Sequence, residues 1–219
     1  MMTKIEREET LAALKAAKIV AIIRGVAKEN LEPLFEALYE GGIRFVEITF
    51  NPSAPNTDAA TAAAIGEMKK IFSGKLHVGA GTVMTQKQAK LAVSAGAEFL
   101  ISPNTNPKII GYAVKNNVIS LPGAYTPTEI AQAYDAGADA VKVFPADSLG
   151  IPYFKAVMAS MSHIPLMAVG GVNDTNVADY LKAGLFGVGV GSALTPKKEI
   201  AAGNFAAVTE MAKKYTQNV

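Results

Sequence analysis

Lys142 lies in the run Ala140-Val141-Lys142-Val143-Phe144-Pro145, and Glu47 in Phe45-Val46-Glu47-Ile48-Thr49. Both runs read as buried strands, where an ammonium or a carboxylate is costly unless it is neutral, paired or directed into a cavity. Burial lowers a lysine's pKa and leaves free amine at neutral pH, the form that attacks a carbonyl to make a Schiff base. Such chemistry needs a second group to move protons on and off the substrate, and a carboxylate serves as that general base. The same two residues could instead be a structural ion pair, and pairing alone does not exclude catalysis.

The elements that position them follow from a regular beat. Short apolar runs at Ile19 to Arg24, Phe45 to Thr49, His77 to Gly81, Phe99 to Ser102, Val118 to Leu121, Ala140 to Phe144, Leu166 to Val169 and Gly187 to Val190 read as strands. Segments of helical period lie between and after them, near Leu31 to Tyr39, Asp58 to Phe72, Gln86 to Ala95, Pro107 to Lys115, Pro127 to Ala136, Tyr153 to Ser160, Asn176 to Ala183 and Asn204 to Tyr215. Thr126-Pro127-Thr128-Glu129 and Asn106-Pro107 carry helix-start chemistry, and glycines follow several helices. Eight successive βα units predict a (β/α)₈ TIM barrel, one domain over residues 1–219, with Thr3 to Lys18 as an extra helix closing its N-terminal end.

Barrel chemistry sits at the C-terminal strand ends. Those ends bring Arg24, Glu47, Thr82, Pro103, Lys142, Phe144, Val169, Gly170, Gly171, Gly191 and Ser192 toward one cavity. Gly170-Gly171 and Gly191-Ser192 follow strands seven and eight, where backbone N–H groups hold a phosphate in many barrels; the alternative is that they only form tight turns. Arg24 offers the same phosphate a charge-assisted contact. Thr82 provides either a hydroxyl at the mouth or a helix cap, and Phe144 and Pro103 either wall the lysine or are ordinary core and turn residues.

Composition narrows the function. The 219 residues are 50% hydrophobic with a net charge of +2 and no basic stripe, so nucleic acid is not an expected partner. No cysteine is present, the two histidines are far apart, and His77 opens a strand at the end of the barrel remote from chemistry, so no metal site is expected. The charged N-terminus lacks a signal-peptide core and no stretch is apolar enough to span a membrane, which predicts a cytoplasmic protein.

Glu47-Ile48-Thr49, Gly79-Ala80-Gly81-Thr82-Val83, Ile101-Ser102-Pro103, Leu121-Pro122-Gly123, Val141-Lys142-Val143-Phe144-Pro145-Ala146, Gly170-Gly171-Val172 and Val190-Gly191-Ser192 occur in one order along nearly the whole chain. In this the chain resembles the 2-keto-3-deoxy-6-phosphogluconate / 4-hydroxy-2-oxoglutarate aldolases. The resemblance implies a class I aldolase, a lyase needing no metal or organic cofactor, built as a homotrimer. It would cleave a phosphorylated 2-keto acid to pyruvate and glyceraldehyde 3-phosphate, or 4-hydroxy-2-oxoglutarate to pyruvate and glyoxylate. Lys142 would form the Schiff base and Glu47 would move the protons. Thr82 would take the carboxylate, Phe144 and Pro103 the pyruvyl group, and Arg24, Gly170, Gly171 and Ser192 the phosphate. Other barrels that bind sugar phosphates are isomerases or epimerases, and a non-catalytic ligand-binding barrel is a third reading.

Two positions depart from the gluconate pattern. Asn51 stands where an arginine usually holds the carboxylate, and Val169 where a threonine usually precedes the paired glycines. Both resemble the 2-keto-3-deoxy-6-phosphogalactonate branch, whose substrate differs only in configuration at C4.

Overall fold

The computed structural model describes Met2 to Gln217. Helix α1 (Lys4–Ala17) opens on a capping box in which the Thr3 hydroxyl accepts from Glu6 N–H and the Glu6 carboxylate accepts from Thr3 N–H. Then follow β1 (Ile19–Ile23), α2 (Leu31–Glu40), β2 (Phe45–Thr49), α3 (Asp58–Ile71), β3 (His77–Gly81), α4 (Gln86–Ser94), β4 (Phe99–Ile101) and α5 (Pro107–Lys115). The second half runs β5 (Ile119–Leu121), β6 (Gly123–Ala124), α6 (Pro127–Asp135), β7 (Val141–Val143), α7 (Gly150–Ser160), β8 (Leu166–Val169), α8 (Val177–Lys182), β9 (Gly187–Val190), α9 (Lys197–Ala201) and α10 (Phe205–Thr216).

The strands pair in parallel in the order β5-β4-β3-β2-β1-β9-β8-β7-β6. Pro122 alone separates β5 from β6, so the sheet returns to its own starting stave and the TIM-like barrel closes. Nine strands thus stand for the eight expected, and the fifth is split because proline has no N–H for the ladder. Its carbonyl still accepts from Lys142 N–H at 2.9 Å, which fixes the register of the lysine strand. Helix α9 has no counterpart in the sequence reading; five residues are too few to show a helical period.

Alternation within each strand sorts side chains between two cores. Val46, Ile48, Val141, Val143 and Ala168 face the helices, whereas Val20, Phe45, Phe99, Ile119, Ala140 and Met167 fill the barrel interior together with Leu14 of α1. The extra helix therefore closes the N-terminal end as expected, pinned also by an Arg7–Asp139 ion pair of 2.6 Å. Gly79 has a steric role inside: a Cβ there would lie 2.3 Å from the Phe99 ring. His77, at the same N-terminal end, stacks on Phe45 at 4.5 Å and contacts Glu98, which also binds Lys69. That cluster ties α3 to the barrel floor, away from the strand ends where Lys142 and Glu47 meet.

Candidate active site

Lys142 is the centre of β7, and because Val141 and Val143 face the helices its own side chain enters the barrel. By the same alternation Glu47 and Thr49 of β2 point inward. Lys142 and Glu47 are 7% and 1% exposed, so both are taken almost wholly out of water. Burial holds the Lys142 ammonium below its ordinary pKa, opposed by the charge of Glu47 and reinforced by Arg24. Burial likewise pushes the Glu47 carboxyl up to about 7, opposed by Lys142 and Arg24.

Among the described residues no ion pair joins the two, and Glu47 Oε2 is buried without a hydrogen-bond partner. The Lys142 ammonium instead lies over the Phe144 ring, 4.8 Å from its centroid. A structural ion pair would be in contact; here burial disfavours the charged form of each group. Room for Glu47 comes from Gly81, where a Cβ would sit 2.5 Å from the carboxyl carbon.

At the mouth, Arg24 Nη2 donates to the Thr82 hydroxyl at 3.0 Å. Thr82 is buried and has φ of 55°, a conformation β-branched residues rarely adopt. It is not a helix cap, because Thr85 caps α4. Asn51 is occupied in a turn, its Oδ1 accepting from Ser53 N–H at 3.1 Å. A cavity of about 800 Å³ beside the barrel mouth is lined by Arg24, Lys28, Thr49, Asn51 and Lys197, but not by Lys142 or Glu47.

Val169 is buried and faces inward, its Cγ2 2.9 Å from where a Cβ on Gly189 would be. Gly170 and Gly171 have φ of 100° and 70°, and a Cβ on Gly171 would meet Asp147 at 2.3 Å, so their presence has a packing cause of its own. After β9, Leu194 and Thr195 N–H both bond to Gly191 O, making one helical turn that leaves the Ser192 and Ala193 N–H groups without an acceptor among the described residues. Half-buried Pro103 borders the same end; a Cβ on Gly123 would strike its carbonyl at 2.4 Å. Among the described residues no group of three or more His, Asp or Glu is placed to hold a metal ion.

Sequence reasoning did not find the Arg24–Thr82 contact, which joins residues 58 apart. It also assigned no role to Thr49, a buried hydroxyl with no hydrogen-bond partner. Its position two residues beyond Glu47, on the same strand face, was the available signal.

Fold and site together define a parallel βα barrel with an amine and a carboxyl buried in its interior, an arrangement suited to carbonyl chemistry. Known proteins make the class specific. The family profile described as KDPG and KHG aldolase matches residues 11–211. A probable 2-dehydro-3-deoxy-6-phosphogalactonate aldolase of Rhizobium meliloti is 36% identical over 177 residues, 80% of this chain and 81% of that protein. A 2-dehydro-3-deoxy-phosphogluconate aldolase of Treponema pallidum is 33% identical over 94% of this chain and 96% of its own length. Among solved structures, a Legionella pneumophila KDPG aldolase with pyruvate captured as a covalent carbinolamine superposes with a TM-score of 0.83 at 30% identity, covering 93% of this chain and 96% of that one. The chain belongs to the KDPG and KHG aldolase family, whose named members are aldolases and therefore lyases.

Proposed function

We propose that the protein is a Schiff-base aldolase that cleaves a 2-keto-3-deoxy-6-phospho sugar acid to pyruvate and glyceraldehyde 3-phosphate, with the galactonate epimer preferred. The observation that carries this reading is that Lys142 and Glu47 are buried inside one barrel with no ion pair between them, burial disfavouring the charged form of each. The free amine of Lys142 adds to the C2 carbonyl, the adduct takes up a proton from solvent, and water leaves to give a protonated imine; that proton is released again when the imine is finally hydrolysed. Glu47 takes the proton of the C4 hydroxyl, the C3–C4 bond breaks, and its electron pair moves onto the imine nitrogen as the aldehyde departs. The proton on Glu47 then returns to C3 of the enamine, and water hydrolyses the imine to release pyruvate.

The Arg24–Thr82 contact supports one revision of the roles expected from the sequence. In this proposal Arg24 joins Thr82 at the substrate carboxylate, supplying the guanidinium that Asn51 lacks. Phe144 and Pro103 wall the pyruvyl group. The phosphate goes to the N–H groups around Gly170, Gly171, Gly191 and Ser192. The same reading makes the protein a cytoplasmic homotrimer that works without metal or organic cofactor; no described helix is long and apolar enough to cross a membrane.

Borohydride reduction in the presence of pyruvate is expected to fix a pyruvyl group on Lys142, located by peptide mass. A wild type that forms no adduct there would return the chain to the isomerase or ligand-binding readings. Substrate choice is tested by turnover of both C4 epimers. Val169→Thr restores a hydroxyl beside C4, and we expect it to move the kcat/KM ratio toward the gluconate epimer by about tenfold or more. An unmoved ratio rejects Val169 as the stereochemical determinant.

A further inference from the structure

Glu47 Oε2 and Thr49 Oγ1 are the two buried side-chain polar atoms without a hydrogen-bond partner among the described residues. They lie on one strand, two residues apart, facing the same interior. A donor or acceptor buried without a partner is normally eliminated or satisfied, so two on one face call for a common cause.

Register supplies it. Thr49 is the direct partner of Gly81 across the β2–β3 ladder. The Glu47 carboxyl leans along the barrel into the space a Gly81 Cβ would fill, with Oε1 2.5 Å and Oε2 2.8 Å from that point. Neighbouring strands are about 4.8 Å apart, so the carboxyl lies beside the Thr49 side chain in the same layer of the barrel. A threonine χ1 rotamer that turns Oγ1 toward Oε2 would join the two. The other charges acting on Glu47 come from Lys142 on β7 and Arg24 after β1; beside it β3 brings Gly79 and Gly81 on its inner face, with His77 further down the same face, stacked on Phe45 at the N-terminal end.

We infer that Thr49 is the positioning residue of the general base: its hydroxyl donates to Oε2 of ionised Glu47 and so leaves Oε1 for the substrate. This rests on the aldolase reading. The sealed oxygen is the one held by the protein, and the oxygen left open is the one that accepts the substrate proton.

Thr49→Val keeps the shape and removes only the hydroxyl. A hydrogen bond to a charged group predicts a fall in kcat of about 10- to 100-fold with KM little changed. Loss of a donor to the carboxylate also moves the acidic limb of the kcat/KM profile to higher pH by about one unit. Thr49→Ser is expected to recover most of the rate. The melting temperature of Thr49→Val should not fall, since the hydroxyl has no partner in the resting fold. Turnover within twofold of wild type with an unmoved acidic limb overturns the inference, as does a loss of rate accompanied by a lower melting temperature and no recovery in serine. Pyruvate trapping on Lys142 should persist in Thr49→Val; its absence from wild type would defeat the aldolase reading itself, whereas its persistence with normal turnover defeats only the role of Thr49.

Discussion

Lys142→Met is expected to lose at least about 10⁴-fold in kcat and all borohydride-trapped pyruvate while keeping its fold. Methionine is unbranched and close in length, so it fills the same space between Glu47 and Phe144 without the desolvation that holds the ammonium's pKa down. Breaking one side of a buried charge pair ordinarily costs about 3–5 kcal/mol because the remaining charge is stranded. Here the remaining group escapes that cost by taking a proton, since Glu47 already titrates near 7 with Lys142 present and rises further without it. The variant should therefore melt at or above the wild-type temperature at pH 6 and lose ground as the pH passes 8. A melting temperature well below wild type at pH 6 would mean that Lys142 has a structural role as well.

Glu47→Gln should lower kcat by about 10²- to 10⁴-fold yet still trap pyruvate, because amine attack needs Lys142 while carbon–carbon cleavage needs the base. In wild type, kcat/KM is expected to fall as pH drops through about 7, where the carboxylate gains its proton, and that limb should vanish in the glutamine variant. Stability carries the opposite sign. The folded-state pKa of Glu47 is raised from the ordinary 4.5 to about 7, so the fold favours the protonated acid. The stability this adds is fully present below 4.5 and is lost as pH rises to 7, about 3 kcal/mol in all. Glutamine cannot titrate, so Glu47→Gln should gain on wild type as pH rises across that window. Lys142 acts in the other direction: between its lowered folded pKa and 10.5 the unfolded chain binds the extra proton, and stability rises with pH. Calorimetry of wild type and Glu47→Gln from pH 4 to 8 separates the two contributions. Parallel melting curves would remove the buried-acid account of Glu47.

Both variants change a residue that stands out in the sequence itself, and the reason is local. A charged side chain inside an apolar run of strand length is visible in the run itself, as Lys142 and Glu47 were. The βα beat was legible for the same reason, and α5 matches its sequence reading residue for residue because Asn106-Pro107 marks its start. The split of the fifth stave was written in Pro122 but not read, since a ladder bond is missed only when its partner strand is known. Arg24 shows the harder limit. Its charge suited a phosphate, but its contact with Thr82 depends on how the ends of β1 and β3 approach.

The amino-acid order alone determined the barrel, the inward faces of its strands and the identity of the amine and the carboxyl, because alternation and helical period are properties of neighbouring residues. Tertiary structure decided what those groups are. Closure of the sheet brought Lys142 and Glu47 into one buried interior without an ion pair between them, and the absent side chain of Gly81 left room for the carboxyl. Protonation state and hydrogen-bond partner depend on atoms distant in the chain and near in space, and only the folded barrel sets those distances.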